Sequence, residues 1–239
     1  GFVLAMRDAQ GKRGRPACPA FRLHFGPMMP RHALPDPLPA EPLSLVAEWL
    51  AEAKARGETP NPNAMVLASC DASGRPSARV VLCKDIEPGP GIVRFVTNCL
   101  SRKGRELTDN PRAAIVFHWD HLHRQARIEG TVHRSDALES DRYFASRPRD
   151  SQLGAHASRQ SEPIASRAAL RAQLDAVRAR FGDTGEVPRP SHWGIFEVRA
   201  DAVELWVEGN ARLHDRARWT RGQPAAPGVA AWSATRLQP

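Results

Sequence analysis

Residues 143–151, YFASRPRDS, place a phenol, a guanidinium and a hydroxyl close together in the sequence. Tyr143 and Arg147 are four residues apart, so on a helix they would share one face. Pro148 disfavours further helix, and a new helix can begin near Ser151, where a capping hydroxyl and free backbone amides would point the same way. Such a set of donors suits a phosphate dianion. The alternative is an ordinary helix end with a surface arginine.

Two cations flank the apolar segment RVVLCK, residues 79–84. If this segment is a strand, its successive side chains point to opposite faces. Arg79 and Lys84 can then face the same side only if a bulge or a strand end lies between them. Two separate anionic ligands would explain this pair of cations, and so would ordinary charges at the ends of a strand.

A further polar group, Ser101, Arg102 and Lys103, follows a predicted strand at the expected start of a short helix. Cations at a helix N-terminus oppose the helix dipole, and that cost is accepted more readily where an anion binds. We therefore predict a cofactor phosphate at this helix end, with a solvated turn as the alternative. Gln160 and Ser161 lie in a polar loop and could either bind a ligand or hydrogen-bond their own loop.

Arg212, His214 and Arg216 alternate along a segment that is predicted to be a strand, so all three would project from one face. Asp215 would lie on the opposite face and could not neutralise them directly. Three such groups repel one another unless an anion or an electron-rich ligand lies across them. This pattern therefore predicts a ligand site.

The segment HWDHLH, residues 118–123, contains the residue types of a zinc site, but its spacing matches no common zinc pattern. We expect a turn between two strands here and predict no metal. The sequence also contains no G-x-S-x-G, P-loop or G-x-G-x-x-G motif. Serine hydrolases, NTPases and Rossmann dinucleotide-binding proteins are therefore disfavoured.

The formal net charge of +8 and the pI of about 10.1 would suit a nucleic-acid-binding protein. However, the basic residues are interleaved with 26 acidic ones, and a single tyrosine offers little for stacking on bases. Anionic small molecules explain the charge equally well, so we predict no nucleic acid. Four cysteines without a C-x-x-C pair, no apolar run of membrane-spanning length and no secretory signal pattern predict a soluble, cytoplasmic protein.

Residues 1–38 are rich in Pro, Arg and Gly without a sustained period, which predicts an irregular, disordered or loosely attached tail before one domain at 39–239. In that domain we predict helices at 39–57, 101–111, 136–146 and 166–182, and strands at 64–70, 76–84, 91–98, 112–119, 124–134, 193–200, 202–209, 212–221 and 232–237. The last helix should present Leu170, Leu174, Val177 and Phe181 as one apolar stripe. Because strands predominate and most are joined by short turns, the predicted fold class is mainly β with α: an antiparallel barrel with helices packed outside.

Segments covering most of 39–239 resemble, in this order, the pyridoxine (pyridoxamine) 5′-phosphate oxidase family. They are PNAMVLASCDASGRP, RVVLCK, SRKGREL, NPRAAIVF, RQARIEG, YFASRPRDSQLGA, SRQS, VPRPSHWG, ELWVEGNARLHDR and RLQP. The resemblance implies a split antiparallel β-barrel that forms a homodimer and binds flavin mononucleotide (FMN) at the dimer interface. It also implies oxidation of pyridoxine or pyridoxamine 5′-phosphate to pyridoxal 5′-phosphate, with O2 as electron acceptor and hydrogen peroxide as second product.

The resemblance also implies roles for individual residues. Those expected to hold FMN are Arg79, Val80, Val81, Leu82, Val96, Thr97, Arg102, Lys103, Gln125, Gln160, Ser161, Trp206 and Arg216. Those expected to bind the substrate are Lys84, Tyr143, Arg147 and Ser151 at its phosphate and Arg212, Leu213 and His214 at its ring, with Arg212 and His214 catalytic. The N-terminal FRLHFG departs from the family, because Phe25 stands where a substrate-covering tyrosine would be expected.

Three alternatives remain open at this point. A phenazine-biosynthesis flavin oxidase of the same superfamily would keep the flavin residues but need not keep the substrate-phosphate set. A non-catalytic flavin- or haem-binding split barrel should lack the RLHDR segment. A basic nucleic-acid-binding protein is supported by the charge alone.

Overall fold

An antiparallel sheet dominates the described chain, which comprises residues 33–222 and 231–239 of this computed structural model. Its strands are β1 (Ala64–Cys70), β2 (Pro76–Glu87), β3 (Ile92–Asn98), β4 (Arg112–Trp119), β5 (Arg124–Arg134), β6 (Trp193–Val207), β7 (Asp215–Arg221) and β8 (Trp232–Leu237). Its helices are α1 (Leu43–Arg56), α2 (Arg102–Asp109), α3 (Ala137–Ala145), α4 (Arg149–Ala157) and α5 (Arg167–Phe181). None of these helices is long and apolar enough to span a membrane.

Six of the strands close into a barrel. The strand order is β3-β2-β1-β4-β5-β6-β7-β8, and an additional pairing of β3 with β6 completes the ring. β6 can join both partners because it is long: Trp193–Arg199 pair with β3, whereas Ala202–Val207 pair with β7. The predicted mainly-β barrel with flanking helices is therefore confirmed. The prediction of two strands at 193–200 and 202–209 is wrong, because the chain runs through both as one strand with a register shift opposite Gly130.

The barrel interior is filled by alternate residues of its strands. In β5, every second residue from Arg124 to Val132 is buried, as expected for a strand with one face on the core. Large side chains with almost no exposure, including Phe95 on β3 and Phe117 on β4, belong to the same core cluster. Helix α1 packs Val46 and other apolar residues against this core, which fixes the end of the sheet that it covers.

The start of the described chain also packs on the barrel. Leu34 belongs to the core cluster, and its amide donates to Asp215 Oδ2 at 2.8 Å. The side chain of Arg236 donates to the carbonyl of Pro35 at 3.0 Å. Most of the predicted N-terminal tail, including Phe25, lies outside the described residues, so its boundary stays a prediction.

A second, smaller hydrophobic cluster holds α3, α4 and α5 together. It is built from Phe144, Leu153, Val187 and Trp193. Leu174, Val177 and Phe181 of α5 pack against it as predicted, whereas Leu170 at the start of the helix is 47% exposed, so the predicted stripe is shorter than expected. Because Trp193 is also the first residue of β6, this cluster fixes the segment 143–160 against the barrel.

Arg94 on β3 links three neighbouring elements. Its guanidinium contacts Asp85 and Glu87 of β2 at 2.8 Å each, Glu197 of β6 at 2.9 Å and Glu139 of α3 at 3.6 Å. The Arg94 side chain is only 18% exposed, so these contacts are less screened by water than ordinary surface pairs. Without the arginine, four carboxylates would face one another at the junction of β2, β3, β6 and α3.

Replacing Arg94 by methionine should therefore lower the free energy of unfolding by about 2 kcal/mol, because a partly buried cation is removed from among its partners. Urea denaturation measures this change. Arg112→Met is the matched control, since Arg112 pairs with Asp201 at 2.9 Å but the two side chains are 68% and 49% exposed. The control should cost at most about 1 kcal/mol. Equal losses in the two variants would contradict the role given to Arg94.

Candidate functional site

A cavity of about 520 Å³ lies between β2, β3 and α4; we call it the β2–α4 cavity. Eleven of the predicted site residues line it: Arg79, Val80, Val81, Leu82, Lys84, Val96, Thr97, Lys103, Arg147, Ser151 and Gln160. Asn98, Gly154, Ala155, Ser158 and Trp193 complete the lining. Residues that are far apart in the sequence and were singled out separately therefore share one cavity.

A bulge on β2 lets both cations of RVVLCK reach this cavity. Cys83 pairs with Phe95 and Asp85 pairs with Arg94, so Lys84 is the extra residue between two consecutive pairs. Such a bulge reverses the alternation of side chains along the strand. The sequence analysis required a bulge or a strand end between Arg79 and Lys84 if both were to face one side. The bulge is present, and both residues line the β2–α4 cavity.

Arg147 and Tyr143 meet at Trp193 and do not share a helix face as expected. Helix α3 ends at Ala145, so Arg147 lies beyond it. The guanidinium of Arg147 lies 4.7 Å from the centre of the Trp193 ring, and the ring of Tyr143 stacks on the same tryptophan at 6.2 Å. Tyr143 contacts Trp193 but is not among the residues that line the cavity, whereas Arg147 lines it.

Arg147 is incompletely paired within the described residues. Its Nη1 is buried and has no hydrogen-bond partner among the described residues. Burial lowers the pKa of Arg147, and burial followed by the nearby charge of Arg147 lowers the pKa of Lys84. Lys84 is exposed by surface area and Arg147 is half-buried, so the cost of burial falls mainly on Arg147, while the two positive charges repel one another.

Ser151 is not the helix cap that the sequence predicted. Helix α4 begins at Arg149, and the capping position is Pro148, which makes no side-chain cap. The amide of Ser151 is not free either, because it donates to the carbonyl of Pro148 at 2.9 Å. Ser151 instead contributes a side chain from the first turn of α4, next to Arg147 on the cavity wall.

The start of α2 forms a second cationic part of the cavity. Ser101 caps the helix, as its position suggested, and Lys103 Nζ donates to Gln160 Oε1 at 2.8 Å. The amide of Arg102 donates to Ser161 Oγ at 3.1 Å. The loop carrying Gln160 and Ser161 therefore contacts the start of α2, and binding of one anion by these two segments stays a prediction.

Close packing brings α2 to this position. A Cβ at Gly104 would overlap the backbone carbonyl of Cys99, so only glycine allows the helix to lie this near the end of β3. Burial, followed by the charge of Arg79, lowers the pKa of Lys103, while Glu106 opposes that shift. The cations at this end are thus crowded enough to need an anion among them.

Glu106 is that anion within the protein, and the sequence analysis missed it. Its side chain is 5% exposed and contacts both Arg79 Nη2 at 3.1 Å and Arg102 Nε at 2.8 Å. Burial alone would raise its pKa, but hydrogen bonds from Ser69, Ser77 and the two arginines hold the pKa at about 2. The carboxylate is therefore ionised over the whole ordinary pH range.

This pKa predicts a pH-dependent contribution to stability. A depressed carboxylate pKa adds stability that is complete above the unfolded value of about 4.5 and is lost as pH falls toward about 2. Wild type should exceed Glu106→Gln by about 1–3 kcal/mol in free energy of unfolding at pH 6, and this difference should shrink as pH falls through that window. Urea denaturation at several pH values measures it, and a pH-independent difference would contradict this account.

The remaining predicted residues form a separate surface, which we call the β6–β7 patch. It consists of Gln125, Trp206, Arg212, Leu213, His214 and Arg216. Gln125 and Arg216 flank Trp206 on neighbouring strands, and the ring of His214 lies 4.7 Å from that of Trp206. None of these residues lines the β2–α4 cavity.

The strand predicted for 212–221 is wrong at its start. Arg212 ends a 3₁₀ turn (Asn210–Arg212), and β7 begins only at Asp215. Ala211 and Arg212 have φ values of 50° and 65°, a conformation that side chains other than glycine seldom adopt, so the chain turns sharply here. The three cationic groups therefore do not form one row.

Arg216 has a carboxylate partner that the sequence analysis did not anticipate. Its Nη2 contacts Glu204 Oε1 of β6 at 2.7 Å, and Nη1 donates to the carbonyl of Gln238 at 2.9 Å. Its Nε is nevertheless buried without a partner in the described part of the chain. Only the neighbouring strand supplies this carboxylate, which is why spacing along one segment could not reveal it.

The cavity and the patch lie at opposite ends of β6. Trp193 at the start of the strand borders the cavity, and Trp206 near its end belongs to the patch. At about 3.3 Å per residue, the thirteen steps from Trp193 to Trp206 trace a path of about 43 Å along the strand. Within one chain, the strand thus holds the two sets of predicted residues apart.

The histidine-rich segment forms the expected connection between β4 and β5. A short 3₁₀ turn, Asp120–Leu122, joins the strands, and His123 Nδ1 contacts Glu208 Oε2 at 2.6 Å. Across the described ranges, no cluster of three or more His, Cys, Asp or Glu side chains is arranged to hold a metal ion.

Comparisons with known proteins agree with this geometry. The profile of a family described as "Pyridoxamine 5'-phosphate oxidase" matches residues 51–181, and one described as "Pyridoxine 5'-phosphate oxidase C-terminal dimerisation region" matches residues 193–239. A curated relative from Burkholderia orbicola (strain MC0-3), named pyridoxine/pyridoxamine 5′-phosphate oxidase, is 48% identical over 199 residues, which are 83% of this chain and 89% of the relative.

Solved structures show the same fold. PhzG from Burkholderia lata 383, in complex with tetrahydrophenazine-1-carboxylic acid, is 31% identical with a TM-score of 0.76 and covers 85% of this chain and 95% of its own. A pyridoxamine 5′-phosphate oxidase-related, FMN-binding protein from Nostoc punctiforme PCC 73102 is 14% identical with a TM-score of 0.64, covering 82% of this chain and 96% of its own. The second likeness is one of fold alone.

Proposed function

This chain belongs to the pyridoxamine 5′-phosphate oxidase family, and on that premise we propose that it oxidises pyridoxine or pyridoxamine 5′-phosphate to pyridoxal 5′-phosphate, using FMN and O2. Family membership makes it an oxidoreductase. The finer assignment depends chiefly on one observation: Arg147, whose buried Nη1 has no hydrogen-bond partner in the described residues, lines one cavity together with Lys84 and Ser151.

This trio suits the phosphate of the substrate. Two cations and a hydroxyl around one point match the charge and the acceptors of a phosphate monoester. The repulsion between Lys84 and Arg147 is relieved when a dianion lies between them. Binding the phosphate fixes the far end of the molecule, and this orientation lowers the entropy cost of bringing its reacting carbon into position.

The rest of the cavity suits FMN. Lys103, Arg102 and Gln160 supply donors for a second phosphate at the start of α2. Val80 and Leu82 are 64% and 36% exposed, and such apolar side chains could cover a flat ring system. When bound, the flavin supplies the acceptor for a hydride from the substrate, and O2 reoxidises it.

A second copy of the chain would complete the site. The dimerisation-region match at 193–239 supports a homodimer, and that range includes most of the β6–β7 patch. Val66 and Val80 are exposed on neighbouring strands beside the cavity, so a partner subunit would cover them. We therefore propose that the patch of one subunit faces the cavity of the other, which overcomes the separation imposed by β6.

In this arrangement the patch would act on the substrate ring. His214 Nδ1 accepts from the amide of Gly209 at 3.2 Å, so a neutral imidazole carries its proton on Nε2, the atom that is left to donate. Arg212 is exposed at a sharply turned position and can place a positive charge beside the substrate. Beside a bound flavin, that charge would stabilise the negative charge that the flavin gains when it accepts a hydride.

Oxidation of a reduced phenazine carboxylate, such as the tetrahydrophenazine-1-carboxylic acid bound to PhzG, is the second candidate, favoured by the structural likeness to that protein. A phenazine carboxylate has no phosphate ester, so it would leave Lys84, Arg147 and Ser151 without their shared ligand. Supplying both substrates in air to the protein loaded with FMN separates the candidates. If the proposed function is right, pyridoxamine 5′-phosphate should yield an aldehyde. Turnover of the phenazine precursor alone would favour the second function.

A further inference from the structure

We infer that Glu106 is a positioning residue that makes the cofactor site selective for a phosphorylated flavin. It does so by holding Arg79 and Arg102 in place beneath the cofactor phosphate. The inference rests on the proposed FMN function and names a residue that does not itself line the β2–α4 cavity. Its carboxylate is negative, so its contribution to binding a negative ligand must be indirect.

The contacts of Glu106 join three elements around the start of α2. Its Oε2 accepts from Ser69 Oγ of β1 and Ser77 Oγ of β2, both at 2.6 Å, and from Arg79 Nη2 of β2. Its Oε1 accepts from Arg102 Nε at 2.8 Å. Both oxygens of this buried carboxylate thus accept hydrogen bonds, either from an arginine or from a serine hydroxyl that also contacts Arg79.

These contacts fix how the two arginines are presented. Arg102 uses Nε for Glu106, and no hydrogen bond or ion pair within the described chain occupies its two terminal nitrogens. Its side chain is 54% exposed, so those nitrogens remain accessible. Arg79 is held along β1 and β2, where its Nη1 also donates to Ser69 Oγ and to the carbonyl of Leu67. Ordered guanidinium groups lose less entropy when they bind a phosphate.

The net charge of the cluster around Glu106 also suits a phosphate. Arg79, Arg102 and Lys103 contribute three positive charges, and Glu106 contributes one negative charge, so the cluster has a net charge of about +2, which matches a phosphate dianion. Without Glu106, three cations would repel one another across the start of α2. Coulomb attraction to the ligand would rise, but the arrangement that forms directed contacts would be lost. We expect the second effect to dominate because the carboxylate is buried and fully hydrogen-bonded.

The test compares two flavins that differ only in the phosphate. Flavin-fluorescence quenching of the apoprotein yields the Kd for FMN and for riboflavin. Glu106→Gln should raise the Kd for FMN about tenfold or more, while the Kd for riboflavin should change by less than about twofold. Asp109→Asn is the matched control, since it removes the same charge from an exposed position on α2 and should leave both values unchanged.

The outcomes separate this inference from its premise. Wild-type protein that binds neither flavin would overturn the proposed function and this inference with it. Wild-type protein that binds FMN, beside a Glu106→Gln variant with unchanged or tighter FMN binding, would overturn the inference alone. So would an equal loss for both flavins, because that indicates a scaffold role only.

A smaller change covers the case in which Glu106→Gln does not fold. Ser77→Ala removes a hydroxyl that donates to Glu106 and accepts from Arg79, and it leaves the charges intact. It should raise the Kd for FMN about threefold, again without affecting riboflavin. An unchanged ratio of the two Kd values in this variant would likewise contradict the inference.

Discussion

Replacing Arg147 by methionine should raise the KM for pyridoxamine 5′-phosphate about 100-fold, with a much smaller fall in kcat at saturating substrate. A factor of 100 corresponds to about 2.7 kcal/mol, in the range expected for charge-assisted hydrogen bonds to a phosphate. Methionine preserves much of the packing on Trp193 and Phe144, whose rings lie 4.7 and 5.5 Å from the guanidinium. Steady-state kinetics of peroxide release measure both constants.

The effect should be confined to the ligand phosphate. Arg142→Met is the matched control, because Arg142 lies one turn earlier on an exposed face of α3 and carries the same charge. Its KM should stay within about twofold of wild type. If Arg147→Met kept the wild-type KM, the substrate phosphate would not bind in the β2–α4 cavity as proposed.

Replacing Arg212 by alanine should lower kcat about 100-fold while the protein retains a near-normal amount of bound FMN. Loss of one group that stabilises charge in a transition state commonly costs this much. Arg212 lies on the turn that follows β6 and is exposed in the single chain, so its loss should not disturb the core. Turnover assays and the absorbance spectrum of the purified protein provide the two measurements.

Arg75→Ala is the matched control for this variant. Arg75 is also an exposed arginine near a turn, but it lies between β1 and β2. Its replacement should leave kcat and flavin content unchanged. Loss of bound flavin in Arg212→Ala would instead place Arg212 at the cofactor, and unchanged kcat would remove it from the site.

The elements of the barrel were predictable because their signals are local. Alternating apolar residues, the Asp71–Gly74 turn and the glycine after α1 identify strand and helix ends without tertiary information. The gap between two predicted strands at Asp201 was misleading, since an exposed residue on a long strand resembles a turn. β6 continues through it because the residues on both sides of Asp201 pair with β5, and Asp201 is the one unpaired residue at the register shift.

The site was predictable to a lesser extent. The spacing of Arg79 and Lys84 correctly indicated that a bulge or a strand end must lie between them. Only the pairing with β3 shows that the bulge occurs at Lys84. The positive φ values of Ala211 and Arg212 have no local sequence signal, because glycine is absent from both positions. Treating that segment as a strand therefore placed Arg212, His214 and Arg216 in a row that does not exist.

Glu106 and Trp193 were missed for a different reason. The role of Glu106 arises when Ser69 and Ser77 pair across β1 and β2 and α2 returns over them. Trp193 matters because Arg147 and Tyr143, from a distant segment, pack on its ring. Both are consequences of tertiary contacts between residues that are individually unremarkable in the sequence.

The most direct test of the central claim is a single-turnover and steady-state assay of the protein loaded with FMN. Pyridoxamine 5′-phosphate is added in air, and aldehyde and hydrogen peroxide are measured together. We expect both products in equal amounts, with far weaker reaction of unphosphorylated pyridoxamine, because Lys84, Arg147 and Ser151 would then lack their anion. A protein that binds FMN but forms no aldehyde, or that oxidises both compounds equally well, would contradict the proposed phosphate site.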